Sequence, residues 1–266
     1  MQNVSTRELC GWIDSTLKSA SFNDYCPNGL QVEGKTQVTH IIAGVTASEA
    51  LIDAAISCGA DTLLVHHGWF WKGEDPRVRG TRKTRLAKLL AHDINLLAYH
   101  LPLDAHPLLG NNAQLARVLG LVPDRQSLPD INNCDNNPVV TVGANNLIWL
   151  GSMPGADTLG QVARQTEQRL QRQPLVIGDP DMAIKNIGWC TGAAHSMLSE
   201  AIDAGVDCFV TGEISEPVVH LAREAGVAFI SAGHHATERY GVQALGNEIA
   251  RIFNIRVDFV DIDNPV

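Results

Sequence analysis

Short, unbroken apolar runs recur along the chain, and between them apolar positions return every third or fourth residue. The first pattern suits strands buried on both faces, and the second suits helices with one buried face. Strands are predicted at Ile41–Val45, Thr62–His66, Asn95–His100, Val139–Val142, Leu147–Leu150, Asn186–Thr191, Asp207–Thr211, Ala228–Ala232 and Val257–Ile262. Helices are predicted at Ser48–Cys58, Lys83–His92, Asn112–Leu119, Thr158–Gln171, Ala194–Ala204, Val218–Ala225 and Gly241–Ile252. At the start of the chain, Ser5 and Glu8 suit a capping box, and Leu9, Ile13 and Leu17 follow at helical spacing. Strands alternating with helices argue an α/β architecture.

The order of elements repeats. Ala55-Ile-Ser-Cys-Gly59-Ala-Asp61 matches Ala201-Ile-Asp-Ala-Gly205-Val-Asp207, a pattern in which a helix closes on glycine and the chain enters a strand. Ala116-Arg117 aligns with Ala250-Arg251, which sets His100 opposite His234 and Asp104 opposite Glu238. The connection between the matched segments is longer in the first half, and the excess falls around Trp69–Arg85. An internal duplication accounts for these matches. The expected organisation is two related α/β lobes, residues 1–125 and 186–266, around a small inserted α+β subdomain over 126–185. That middle segment includes the polar, turn-rich run Pro129–Pro138 and the helix at Thr158–Gln171.

Composition narrows the classes. With 266 residues and a hydrophobic fraction of 45%, the chain can build a full core. A net charge of −9 argues against a non-specific grip on nucleic acid. No apolar run approaches membrane-spanning length, and the N-terminus lacks the basic start and apolar stretch of a signal peptide. The cysteines form no C-x-x-C pair, and several sit in apolar surroundings that suit reduced, buried thiols. A soluble cytoplasmic protein is expected.

Candidate chemistry gathers at three strand ends. Leu63-Leu-Val-His66-His67-Gly68 closes an apolar run on adjacent histidines, while His100-Leu-Pro-Leu-Asp104 and His234-His-Ala-Thr-Glu238 each set an imidazole four residues before a carboxylate. Imidazole and carboxylate are the usual ligands of catalytic zinc, manganese and iron, and three such clusters offer enough donors for two ions. Successive strand side chains point to opposite faces, so His66 and His67 can share a site only if the strand ends there, as Gly68 permits. His100 and Asp104 suit one side of a turn shaped by Pro102, and His234 and Glu238 suit one face of a helix. Each cluster alone has an ordinary reading as a core histidine or a surface pair; the repeat argues for one constellation. A donor set without thiolate points to Zn, Fe, Mn or Ni, and a carboxylate such as Glu238 can bridge two ions. Glu213 corresponds in the repeat to His67 and is a candidate general base, or simply a partner for an arginine elsewhere. The Trp69–Arg85 loop holds six of the twenty Lys and Arg residues. It is equally suited to gripping an anionic substrate and to a subunit contact.

Four segments carry a resemblance: Asp24-Tyr-Cys-Pro-Asn-Gly-Leu-Gln-Val32, Val65-His-His-Gly-Trp-Phe-Trp-Lys-Gly73, His100-Leu-Pro-Leu-Asp-Ala-His-Pro107 with Gly110-Asn-Asn-Ala-Gln-Leu115, and Gly233-His-His-Ala-Thr-Glu-Arg239. They closely resemble the YbgI-like (Nif-three-like) family, the type two GTP cyclohydrolase I homologues, and the similarity fades only in the inserted segment. The resemblance implies an α/β fold of two related lobes, two divalent metal ions per chain and a toroidal homohexamer. It places metal ligands at His66, His67, Asp104, His234 and Glu238, with Glu238 bridging, and makes His100 a further histidine lining the site. The expected function is a metal-dependent hydrolase acting on a nucleotide-like or phosphorylated small molecule, with GTP ring opening as the named candidate. His100, or failing it Glu213, would move protons. The alternative is a non-enzymatic toroidal metal-binding protein acting through partners, such as a metal-handling or DNA-maintenance factor.

Overall fold

A computed structural model describes residues 2–126 and 137–266, so most of the turn-rich run Pro129–Pro138 falls outside the described residues. The chain forms two compact units, Met1–Gly110 with Arg239–Asp263, and Asn111–Glu238 with Asn264–Val266. The three-part division expected from the repeat cuts the chain at other positions than these units.

In the first unit, β4 (His40–Thr46), β5 (Thr62–His67) and β6 (Asn95–Ala98) are parallel neighbours, joined by α2 (Glu49–Ser57) and α3 (Thr81–Ala91). The sheet is extended by β14 (Arg256–Phe259), parallel to β4, and by β2 (Gly29–Val32), antiparallel to β6. A short pair, β1 (Val4–Ser5) and β3 (Gln37–Val38), flanks α1 (Thr6–Leu17), whose N-cap Ser5 accepts the Glu8 N–H as expected. The central strands are apolar throughout because helices cover both faces. Ile41, Ala43, Leu64 and Leu97 pack with Leu9, Ile13 and Leu17 of α1 and with Val242, Leu245 and Ile249 of α9 (His234–Phe253). The alternate positions Ile42, Leu63, Val65 and Leu96 face Leu51, Ile52 and Ala55 of α2 and Leu89 of α3. Each such side chain, fully buried, contributes about 1.5–3 kcal/mol.

In the second unit, β11 (Ile187–Trp189), β12 (Cys208–Thr211) and β13 (Ala228–Ser231) are again parallel neighbours, joined by α7 (Leu198–Asp203) and α8 (Glu216–Ala225). Antiparallel strands lie on both sides: β10 (Leu175–Ile177) beside β13, and β9 (Ile148–Ser152) beside β11, with β7 (Val122–Pro123) and β8 (Thr141–Val142) on β9. The segment expected as an inserted subdomain therefore adds its strands to this sheet. Helices α5 (Asn111–Leu119) and α6 (Leu159–Leu170) complete the unit. Among the described residues, no helix is long and apolar enough to cross a membrane.

The matched segments do the same work in both units. Asp61 Oδ2 accepts the Thr39 and His40 N–H groups at 2.8 and 3.1 Å, and Asp207 Oδ2 accepts those of Lys185 and Asn186 at 2.9 and 2.8 Å. Each aspartate thus pins the start of the strand beside its own. The pairing that follows is equivalent, Ile41 opposite Thr62 and Ile187 opposite Cys208. Asp61 does more: it is buried and also binds Lys35 Nζ at 2.8 Å and the Thr39 hydroxyl at 2.6 Å. Asp61→Ala is expected to cost about 2–3 kcal/mol, because it leaves the Thr39 and His40 N–H groups without their acceptor, while the pair with the exposed Lys35 adds little. Asp207→Ala, half-buried with two donors, should cost about 1–2 kcal/mol. Urea unfolding of the two variants checks the ranking.

Candidate metal centre

In the first unit, β5 ends at His67, so strand alternation stops and the two imidazoles converge, with ring centroids 4.5 Å apart. Gly68 follows because nothing larger fits: a Cβ there would overlap the Gln31 carboxamide and lie 2.5 Å from Ala98 Cβ. His66 is fully buried, and its Nδ1 donates to the Tyr99 carbonyl at 3.0 Å. A carbonyl only accepts, so the proton sits on Nδ1 and the lone pair on Nε2, which lies 3.5 Å from Asp104 Oδ1. Two donors bound to one zinc-like ion at about 2.0–2.2 Å and a tetrahedral angle stand about 3.4 Å apart, so this pair fits a shared divalent ion.

The strand expected to reach His100 stops at Ala98, and the expected turn is a short helix, α4 (Leu101–Ala105). Pro102 stands in its first turn, where no N–H is needed. The His100 carbonyl accepts the Leu103 and Asp104 N–H groups, which brings the Asp104 carboxylate back toward the strand end. His100 Nδ1 lies 2.7 Å from Asp24 Oδ1. Asp24 also accepts the N–H groups of Tyr25 and Leu101 and the Asn28 carboxamide at 2.6 to 2.9 Å. Burial pushes the Asp24 pKa up, but its bond to His100, the His100 charge, Asn28 and Leu101 together hold it at about 2. His66, His67 and His100 offer nitrogens that all lie within 4.8 Å of one another. Asp24, Cys26 and His100 are equally close, but burial and the Asp24 charge push the Cys26 thiol up to about 12, which disfavours the thiolate a metal needs.

In the second unit, His234 opens α9 with Nδ1 2.6 Å from Glu213 Oε1 and Nε2 3.0 Å from Glu238 Oε2. Burial opposes charging this imidazole, yet Glu238 and then Glu213 prevail and raise its pKa to about 9. Ligation through Nε2 therefore requires loss of a proton, while Glu213 continues to orient the ring from Nδ1. Gly192, at φ +69°, packs against both ligand candidates: a Cβ there would overlap the Glu238 carboxylate and lie 3.2 Å from His234 Nε2. The Gly192 backbone is fixed by Thr237 Oγ1, which accepts its N–H at 3.0 Å, and by the Thr211 hydroxyl, which donates to its carbonyl at 3.0 Å.

The Trp69–Arg85 loop divides in two. Its aromatic start belongs to the first unit's cluster: Trp69 is buried with its indole N–H on the Ala47 carbonyl, and Trp71 stands edge-on to His100 at 5.0 Å. Its arginines are held by the loop itself. Arg77 forks onto Asp75 at 2.7 to 2.9 Å, Arg79 reaches the same carboxylate at 3.0 Å, and Arg82 pairs with Glu74 at 3.0 Å and lies over Phe70.

A model of the Duf34/NIF3 (NGG1p interacting factor 3) family matches residues 4–265. This chain belongs to the Duf34/NIF3 family. A relative from Neisseria meningitidis serogroup B is 51% identical over 262 residues, 98% of this chain and 99% of its own length. One from Escherichia coli K12 is 47% identical over 267 residues, 100% of both chains. Both carry the name GTP cyclohydrolase 1 type 2 homolog. Among solved structures, protein ybgI, described as of unknown function, is similar with a TM-score of 0.89 and 46% identity, covering 99% of this chain and 100% of that one. TTHA1606 from Thermus thermophilus follows at 0.83 and 36%, with the same coverage.

In this Duf34/NIF3 chain the expected site residues fall into two sets. His66, His67, His100 and Asp104 come together in the first unit, and Glu213, His234 and Glu238 in the second. Sequence reasoning passed over Asp24, Asn28 and Gly192. The Asp24-x-x-x-Asn28 spacing was a usable signal, because both side chains brace the His100–Leu101 corner. Gly192 has a signal in the repeat: it stands where Thr46 stands in the first half, and Thr46 Oγ1 is 3.2 Å from His67 Nδ1.

Proposed function

We propose that this protein is a dinuclear metal-dependent hydrolase of a nucleotide-like or phosphorylated small molecule, with His66, His67, Asp104, His234 and Glu238 as metal ligands and Glu238 bridging. The observation that carries the reading is His66, a fully buried imidazole whose Nδ1 is spent on the Tyr99 carbonyl and whose Nε2 faces the Asp104 carboxylate at ligand spacing. Divalent ions held by these residues would supply Lewis acidity to a hydrolytic reaction. His100 Nε2 and the Glu213 carboxylate are the groups suited to taking and returning a proton, and Trp71 stands edge-on to His100. Relatives about half identical in sequence are named as GTP cyclohydrolase homologues, so GTP ring opening is the first activity to assay.

The equivalent aspartate clamps and strand registers support an origin of the two α/β lobes by duplication, and the resemblance supports a homohexamer, for which light scattering is the check. One observation favours a second reading, a metal-binding protein that acts through partners. Arg77, Arg79 and Arg82, expected to grip an anion, are already paired within the loop with Asp75 and Glu74.

The test is elemental analysis followed by turnover. The purified protein is expected to hold about two divalent ions per chain, and the loaded protein to convert GTP or another phosphorylated metabolite, with His66→Ala as the inactive control. Two ions with no turnover across a metabolite library would favour the partner-binding reading. Fewer than one ion per chain would remove the metal centre itself.

A further inference from the structure

We propose that the first unit can hold one divalent ion by itself, through His66, His67 and His100, and that His100 is a ligand in this singly loaded state. The inference rests on the metal-centre reading above and narrows it, since an imidazole engaged in ligation does not carry protons.

The observation is that all three rings are held from the same atom. His66 Nδ1 donates to the Tyr99 carbonyl at 3.0 Å, His67 Nδ1 lies 3.2 Å from the Thr46 hydroxyl, and His100 Nδ1 lies 2.7 Å from the buried Asp24 carboxylate. A carbonyl, a hydroxyl and a carboxylate are the partners that orient ligating imidazoles from behind and leave Nε2 to the metal. The rings also sit close, with His100 centroids 5.1 Å from His66 and 5.8 Å from His67, and ligand nitrogens all within 4.8 Å. Asp104 Oδ1, 3.5 Å from His66 Nε2, adds a carboxylate oxygen. Three imidazoles form a donor set within one unit, with the Asp104 carboxylate beside His66, and its chemistry suits Zn²⁺, Co²⁺, Ni²⁺ or Cu²⁺ better than Mg²⁺ or Ca²⁺.

The second unit is differently equipped. It offers one imidazole between two carboxylates. Asp24 is a positioning residue in this scheme: it does not ligate, and it fixes which nitrogen of His100 does.

The experiment uses the full chain with the second unit's ligands removed, His234→Ala/Glu238→Ala, dialysed against Zn²⁺ and analysed for metal. About one zinc per chain is expected, against two in the unaltered protein. Adding His100→Gln should abolish stoichiometric binding, and adding Asp24→Asn instead should weaken zinc affinity about 10–100-fold. A readout that a merely structural role would not move is the number of imidazoles on bound Cu²⁺, counted by pulsed electron paramagnetic resonance. Three are expected in the double variant and two after His100→Gln, with circular dichroism confirming the fold. A double variant that binds no zinc while the unaltered protein binds two overturns this inference and leaves the dinuclear reading standing. An imidazole count unchanged by His100→Gln also overturns it. Absence of metal from the unaltered protein would instead sink the dinuclear reading on which it rests.

Discussion

Gly192→Ala is expected to displace the Glu238 carboxylate and lower metal content while leaving the second sheet folded. Two effects act at this position. The backbone is left-handed at φ +69°, where a side chain costs about 1–2 kcal/mol. The new Cβ would also overlap Glu238, which is buried and cannot swing into solvent. Overpacking of this kind costs about 1–3 kcal/mol. The backbone cannot retreat easily, because Thr237, Thr211 and the Gly212 N–H all hold Gly192 in place. The carboxylate is therefore the part that moves. Gly155→Ala is the matched control: its φ is +81°, and a Cβ there meets nothing within 4 Å. Thermal unfolding and elemental analysis of the two variants separate backbone strain from the clash. A Gly192→Ala protein as stable as Gly155→Ala, with its full metal content, would refute the assignment of Gly192 as the cradle of the ligand.

The parallel strands and their helices were legible in the sequence because burial on both faces leaves runs such as Ile41–Val45 and Thr62–His66 with no polar interruption. The short strands β2, β7 and β10 were not. Each lies at a sheet margin and spans only two to four residues, too few to show a period. The helix expected from Gly241 begins at His234, since His234-His-Ala-Thr-Glu238 has too few apolar residues to register as a helical face. The candidate ligands were legible for the opposite reason: paired histidines and a histidine four residues before a carboxylate are rare enough to stand out. What sequence spacing could not supply was the support around them. Asp24 lies 76 positions from His100 and Gly192 lies 45 from Thr237, and only the fold brings them together.

Asp24 gives the second large effect, and it depends on pH. Asp24→Ala would leave the His100 Nδ1–H and the Leu101 N–H without their buried acceptor. Such losses cost about 1–3 kcal/mol for each buried group left without its acceptor. The carboxyl group is held at about 2, below its ordinary 3.8. A depressed folded-state pKa means that the carboxylate's contribution is fully present above about pH 4 and is lost as pH falls toward 2. A difference of nearly two pH units corresponds to about 2 kcal/mol. The gap in unfolding free energy between the chelator-treated wild-type and Asp24→Ala proteins should therefore be largest at pH 7 and shrink by about 2 kcal/mol on approaching pH 2. Asp24→Asn should fall between them, because its carboxamide oxygen still accepts one N–H but carries no charge to hold His100. Urea titrations at pH 7, 4 and 2.5 would measure the trend, and a gap that stays constant across that range would show that Asp24 acts through packing rather than through its charge.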